Sequence, residues 1–114
     1  MGIAVAILQV VGATKDFLHN NQAMRRANTI GADKYFHCKA NCEATQRGAV
    51  GEIVAEVMSE VRELYGDLKG DPDVDEQADQ EANQDGRDGV KSNPEEECNL
   101  VCARHRPNGL DEEY

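Results

Sequence analysis

The chain has no tryptophan and few other aromatic residues, which limits the core that it can build. Its 114 residues include only two phenylalanines and three tyrosines, although 39% of all residues are hydrophobic. A chain of this length is expected to form one domain, which we take as residues 1–114. Its core should be small and mostly aliphatic.

A hydrophobic run long enough to cross a membrane is also missing. Residues 2–12 are almost all apolar, but the run is too short for a transmembrane helix. It lacks the basic region that begins a signal peptide, so we expect residues 1–13 to be the end of an upstream segment. A helix that is apolar on all sides must be buried, in the bundle or against a second subunit, or must contact lipid; burial is the commoner case.

Basic residues are scarce in the second part of the chain. Residues 1–66 carry seven acidic and seven basic residues, whereas residues 67–114 carry fifteen acidic and five basic ones. The whole formal net charge of −10 therefore lies in residues 67–114. An acidic surface repels phosphate backbones, so nucleic acid is not expected as a partner.

Strand signals are nearly absent, and helical periodicity accounts for most of the chain. The clearest element is an amphipathic helix in which apolar residues recur every three or four positions. The predicted helices cover about residues 3–28, 34–47, 49–68 and 73–86. The fold class is therefore all-α: a four-helix bundle with an irregular C-terminal tail, residues 87–114, wrapped over the helices.

Three residues are expected to mark the helix ends. Gly31 should end the first helix, Asp33 should be the N-cap of the second, and Gly86 should be the C-cap of the fourth. The arginines of the acidic half, Arg87, Arg104 and Arg106, are expected to pair with carboxylates of the helices beneath the tail.

Four cysteines form two C-x3-C pairs, Cys38 with Cys42 and Cys98 with Cys102. An even count with paired spacing favours disulfides and a secreted protein over a zinc site, and unbridged core thiols are a further alternative. If both pairs are helical, antiparallel facing joins Cys38 to Cys102 and Cys42 to Cys98. Parallel facing joins Cys38 to Cys98 and Cys42 to Cys102. We favour the antiparallel set, which would tie the tail to the second helix.

No motif for catalysis, metal or cofactor is convincing. His37 points about 100° away from Cys38 on a helix, which argues against shared zinc ligation, and no oxyanion site flanks the cysteines. The segment 71–75, DPDVD, resembles the start of a calcium loop, but Ala82 stands where the bidentate glutamate belongs. An acidic helix N-terminus explains it better. We therefore expect a protein that is not an enzyme and holds no metal or cofactor.

Three stretches resemble the serum amyloid A family. They are AMRRANTIGADKYFHCKANCEATQRG at 23–48, ADQEANQDGR at 78–87 and RPNGLDEEY at 106–114. The resemblance implies a four-helix bundle with a wrapped tail, no enzyme activity, and oligomers formed through the first and third helices. The resemblance to vertebrate members of the family implies binding of lipoprotein, retinol and heparin-like glycans. By position, the resemblance places the lipid or oligomer face on nine residues: Ile7, Val10, Val11, Phe17, Leu18, Ile53, Val54, Val57 and Val61.

The cysteines depart from the vertebrate pattern and resemble a bacterial branch of the family. That branch stands at the C-terminus of Rhs-type and other polymorphic secreted proteins, in the position of a toxin. The first hypothesis is therefore a non-enzymatic secreted effector that contacts lipid or membrane, with a cognate immunity protein as a further partner. The alternative is a carrier of lipid or small hydrophobic ligands, and a zinc-dependent enzyme is the second alternative.

Overall fold

The computed structural model describes residues 2–69 and 76–114, and all regular structure in these ranges is helical. The helices are α1 (Ile3–Ala27), α2 (Asp33–Gln46), α3 (Ala49–Lys69), α4 (Glu76–Ser92) and the short α5 (Cys98–Val101), which leads into a 3-10 turn at Ala103–His105. The predicted all-α bundle with an irregular tail is confirmed.

Helix α2 is the centre of the bundle. Nine of its fourteen residues are buried, which no amphipathic surface helix could achieve, so it is covered on several sides. Tyr35 and Phe36 anchor the larger core cluster together with both cysteines of α2. A smaller cluster of three alanines, Ala13, Ala44 and Ala55, holds α1, α2 and α3 together. The core is small, as the composition predicts, but two aromatic side chains are its largest fully buried apolar members.

The end of α1 differs from the prediction. The helix stops at Ala27 because Asn28 takes the left-handed conformation with φ 44°, and its N–H donates to the carbonyl of Met24 at 3.2 Å. Asparagine tolerates this conformation better than most residues, so it ends the helix three residues before Gly31. The N-cap of α2 is Ala32, without a side-chain hydrogen bond, and Asp33 is already the first helical residue.

Helix α4 is longer than predicted because Gly86 does not end it. The helix continues to Ser92, so the irregular tail begins after residue 92 rather than at 87. A Cβ on Gly86 would collide with the carbonyl oxygen of Cys38. The glycine therefore serves close backbone packing between α4 and α2. The predicted start of this helix at residue 73, and the calcium-like segment 71–75, lie outside the described residues.

The tail is tied to α2 by two disulfides. Cys38 pairs with Cys102 and Cys42 with Cys98, across sequence separations of 64 and 56 residues. The favoured antiparallel connectivity is confirmed. The bridges use all four cysteines, so none is available as a zinc ligand or a free thiol.

Arg106 folds the last residues back onto the helices. Its guanidinium donates to the backbone carbonyls of Tyr114 at 2.5 Å and Asp111 at 2.8 Å, and it lies over the Tyr35 ring. Of the three arginines of the acidic half predicted to pair with carboxylates, Arg104 does so, with Asp85 at 3.4 Å. Arg106 binds carbonyls instead, and Arg87 binds amide oxygens, because both are turned into the protein.

Candidate functional site

Helices α1 and α3 lie side by side and run in the same direction. Near their beginnings, the side-chain oxygen of Gln9 accepts hydrogen bonds from the N–H groups of Val50 and Gly51 at 3.1 and 3.2 Å. Near their ends, Arg25 of α1 and Tyr65 of α3 line one groove. The connection through α2 makes this parallel arrangement possible, because α2 runs in the opposite direction between them.

The surface that these two helices share is apolar and open to solvent. Seven of the nine residues predicted for the lipid or oligomer face are exposed: Ile7, Val10, Val11, Leu18, Ile53, Val57 and Val61. The α3 members follow at intervals of four residues and therefore form one stripe, with exposed fractions between 54% and 58%. We call the exposed side chains of this set, with their exposed apolar neighbours Ile3 and Leu8, the α1–α3 face.

Phe17 and Val54 are placed differently from the other seven. Both are partly buried and pack against the alanine cluster of Ala13, Ala44 and Ala55. Alanine leaves space between helices, and the larger neighbours fill it. Val54 is therefore turned partly towards the bundle and is not counted in the exposed face. Phe17 has both roles, since it also lines the groove described next.

A groove of about 410 Å³ lies between α1 and α3 at the end of the face distant from Gln9. Its volume falls in the range of small-ligand pockets, roughly 300–1,000 Å³. One wall comes from α1 and the other from α3. The lining residues are Phe17, Leu18, Asn21 and Arg25 from the first helix, and Met58, Val61, Arg62 and Tyr65 from the second.

A small cavity lies behind the groove, inside the bundle. Phe17, Asn21 and Arg62 line both spaces, and His37 and Asn20 lie deeper. The cavity holds about 10 Å³, which is the room that one water molecule requires, roughly 10–15 Å³. Neither ring nitrogen of His37, nor the side-chain oxygen of Asn20, has a hydrogen-bond partner in the described part of the chain. The inner end of the groove is therefore polar.

The environment of His37 favours the neutral imidazole. Burial, and then the positive charge of Arg62, lower the pKa of His37 to about 4, against the opposing attraction of Asp79. The carboxylate of Asp79 is 3.9 Å from the ring and forms its short contact, 2.6 Å, with Lys34. His37 is thus uncharged at neutral pH, in accordance with its position in the core.

A buried polar network joins α2, α3 and α4. The side-chain oxygen of Asn41 accepts hydrogen bonds from Arg87 at 2.7 Å and Ser59 at 3.2 Å. Its amide group donates to Asn83 at 3.0 Å and to the carbonyl of His37 at 2.8 Å. We did not predict this network from the sequence. The spacing of His37, Asn41 and Thr45, four residues apart and all buried, was the signal that could have indicated it.

A second surface groove, of about 440 Å³, has different chemistry. It lies between α4 and α5, where Asp85, Asp88, Glu96 and Arg104 contribute to its lining. Its walls are mainly polar and acidic, so it suits an apolar ligand poorly. Among the described residues no group of three or more histidine, cysteine or acidic side chains could hold a metal ion. The α1–α3 face therefore remains the best candidate for ligand binding.

None of the helices, as far as the structure describes them, is long and apolar enough to span a bilayer. The exposed apolar surface lies along the sides of helices that also pack on α2. Contact with lipid would therefore take place on the surface of the folded protein.

Comparison with known proteins gives consistent matches. The sequence profile of the family described as serum amyloid A protein matches residues 5–114. The chain is similar to serum amyloid A protein of Anas platyrhynchos, with 47% identity over 45 residues, which are 40% of this chain and 35% of that protein. It is also similar to the protein of that name from Equus caballus, with 50% identity over 38 residues, 33% of this chain and 34% of the relative. These alignments span about a third of the relatives' length.

Proposed function

The chain belongs to the serum amyloid A family, and from this premise we propose that it is a non-enzymatic carrier of lipid or small hydrophobic ligands. The ligand would bind on the α1–α3 face and in its groove. The single observation that carries this proposal is the exposure of many large aliphatic side chains along two adjacent helices. Contiguous apolar patches of this kind mark interaction sites in soluble proteins, since leaving them in water is unfavourable.

The apolar face alone also suits a membrane-contacting effector. The interpretation as a toxin rests on the four-cysteine pattern, and the expectation of a cognate immunity protein rests on the same pattern. The disulfides already have a structural use, because they fasten the tail to α2. The relatives named above are vertebrate serum amyloid A proteins, and this supports the carrier function over the toxin. We therefore propose the carrier.

Two further properties accompany the proposal. Secretion fits the two disulfides, because such bridges persist in oxidising compartments. Association of copies fits the α1–α3 face, because a second chain is one way to cover aliphatic residues when no ligand is present. Ligand and subunit would then compete for the same surface, so binding of lipid should change the oligomeric state.

A binding experiment with matched variants tests the proposal. Retinol binding is followed by fluorescence, and association with phosphatidylcholine vesicles by flotation. Val57→Asp places a charge in the middle of the face and should weaken both by at least about tenfold. Ile30→Asp is the control, since Ile30 is 96% exposed in the loop between α1 and α2 and does not line the groove. Circular dichroism verifies that both variants are folded.

The proposal fails if the wild-type protein binds neither retinol nor vesicles. It also fails if Ile30→Asp weakens binding as much as Val57→Asp does, because the binding would then not depend on this face.

A further inference from the structure

The groove at the end of the α1–α3 face contains two positive charges. Arg25 comes from α1 and Arg62 from α3, and both line it together with Asn21 and Tyr65. The rest of the face is aliphatic. The surface is therefore itself amphiphilic, with a cationic end and a long apolar part.

These two arginines have no partner of opposite charge close by. In the described ranges, neither Arg25 nor Arg62 forms a hydrogen bond or an ion pair within 4.0 Å. The carboxylates that attract Arg62 from a distance are Asp79, Asp33 and Glu63. The first two are in direct contact with Lys34. Burial is the main cause that lowers the pKa of Arg62, and the positive charge of Arg25 lowers it further, so the two arginines repel each other. In a chain with net charge −10 this is an unusual place for two arginines without a direct ionic contact to a carboxylate among the described residues.

We infer that the groove selects single-chain amphiphiles with a carboxylate head group, such as a long-chain fatty acid, whose head lies between Arg25 and Arg62. This inference rests on the proposed function and specifies its ligand class. A guanidinium can bind a carboxylate through two parallel charge-assisted hydrogen bonds, and a head group there would also relieve the repulsion between the arginines. A neutral alcohol or an ester would neither form these charge-assisted hydrogen bonds nor reduce the repulsion between the arginines.

The apolar part of the face has the length that such a ligand requires. Fifteen residues separate Arg25 from Val10, which corresponds to about 22 Å along α1 at 1.5 Å per residue. One acyl chain spans roughly 15 Å, half of the hydrocarbon core of a bilayer. The tail of the ligand can therefore lie against Leu18 and Val11 of α1 and Val57 of α3, all of which are exposed.

Binding of oleate and oleyl alcohol to the folded protein tests the inference, because the two ligands differ only in the head group. Both are titrated by calorimetry below their aggregation concentrations. Wild-type protein should bind oleate at least about tenfold more tightly than oleyl alcohol. The double variant Arg25→Gln, Arg62→Gln should lose this preference, so that oleate binds no more tightly than oleyl alcohol does. Arg26→Gln is the matched control, since Arg26 is the next residue on α1 and does not line the groove.

Four results would overturn the inference. Equal affinity of wild-type protein for both ligands would leave a carrier without head-group selection, so the proposed function would stand. An equal loss of oleate binding in Arg26→Gln would indicate attraction by positive charge in general. Acetate or inorganic sulfate that binds as tightly as oleate would make the arginines a simple anion site. If neither oleate nor oleyl alcohol binds, both the inference and the proposed function fail.

Discussion

The side-chain oxygen of Gln9 accepts a hydrogen bond from the backbone N–H of Val50 at 3.1 Å, so a residue of α1 caps the beginning of α3. The same oxygen accepts the N–H of Gly51 at 3.2 Å. The first N–H groups of a helix have no partner within it, and this cap comes from a different helix. It holds the apolar beginning of α1 against α3, and so keeps the two parts of the α1–α3 face together.

Gln9→Ala should destabilise the protein by about 1 kcal/mol, because the N–H groups of Val50 and Gly51 lose their acceptor. Gln9→Glu keeps an acceptor oxygen and adds negative charge near the positive end of α3, so it should retain the stability of the wild type. Urea denaturation followed by circular dichroism measures both variants. An equal loss of stability in Gln9→Ala and Gln9→Glu would show that the hydrogen bonds to the backbone amides of α3 are not the source of the effect.

Removal of either disulfide should destabilise the protein substantially. The bridges span 64 and 56 residues, and the chain-entropy model assigns about 4 kcal/mol to each. Cys38→Ser with Cys102→Ser, and Cys42→Ser with Cys98→Ser, should therefore cost similar amounts in urea denaturation. A pair whose removal leaves the midpoint unchanged would contradict the account that the bridges hold the tail on α2.

The stability of the protein should fall in mild acid because of His37. Its pKa is about 4 in the folded protein, against about 6.5 for the unfolded chain, so the unfolded state takes up the proton first. The contribution of His37 to the free energy of unfolding is fully present above pH 6.5, and it is lost progressively as the pH falls from 6.5 towards 4. The loss should reach roughly 3 kcal/mol at the acid end.

His37→Gln removes the titrating group and should flatten this part of the pH dependence. The free energy of unfolding is measured by urea denaturation at several values between pH 7.5 and pH 4. If His37→Gln has the same slope as the wild type, the acid sensitivity has another source.

Gly86→Ala should destabilise the protein although alanine is the better helix former. Its Cβ would meet the carbonyl of Cys38 and the amide nitrogen of Cys42, and neither can move freely within α2. Overpacking of this kind costs about 1–3 kcal/mol, which exceeds the helix-propensity gain of about 1 kcal/mol. Gly89→Ala is the comparison, because the three atoms nearest to its Cβ would all belong to the side chain of Val101. Gly86→Ala should have the lower midpoint in urea, and the reverse order would contradict the close approach of α4 to α2.

The bundle could be predicted from the sequence because its helices carry apolar side chains at regular intervals. The pairing of Cys38 with Cys102 could also be favoured, since two C-x3-C helical turns that face each other allow few connectivities. Glycine was interpreted less well. A glycine near the end of a helical pattern usually marks a C-cap, and Gly86 was assigned that role. Its actual role is to let the backbone of α4 approach α2, and no pattern in the neighbouring sequence indicates this contact.

Seven of the nine residues assigned by position to the lipid or oligomer face are exposed, whereas the buried polar groups were not predicted. Asn41 and Arg87 are polar residues on amphipathic helices, and such residues are usually on the solvent side. Their burial depends on satisfied hydrogen bonds between helices, which are a property of the assembled bundle. Val54 is less exposed than the other α3 residues of that set for a related reason, because it packs against the small alanines Ala13, Ala44 and Ala55.

The most direct test of the central claim, that the α1–α3 face binds hydrophobic ligands, is an amide chemical-shift map of the protein titrated with oleate. The account predicts that the shifted signals come from α1 and α3, with Leu18, Val57 and Val61 among the largest, and that signals of α4 change little. Shifts confined to α4 and the tail, or no shifts at saturating oleate, would contradict it.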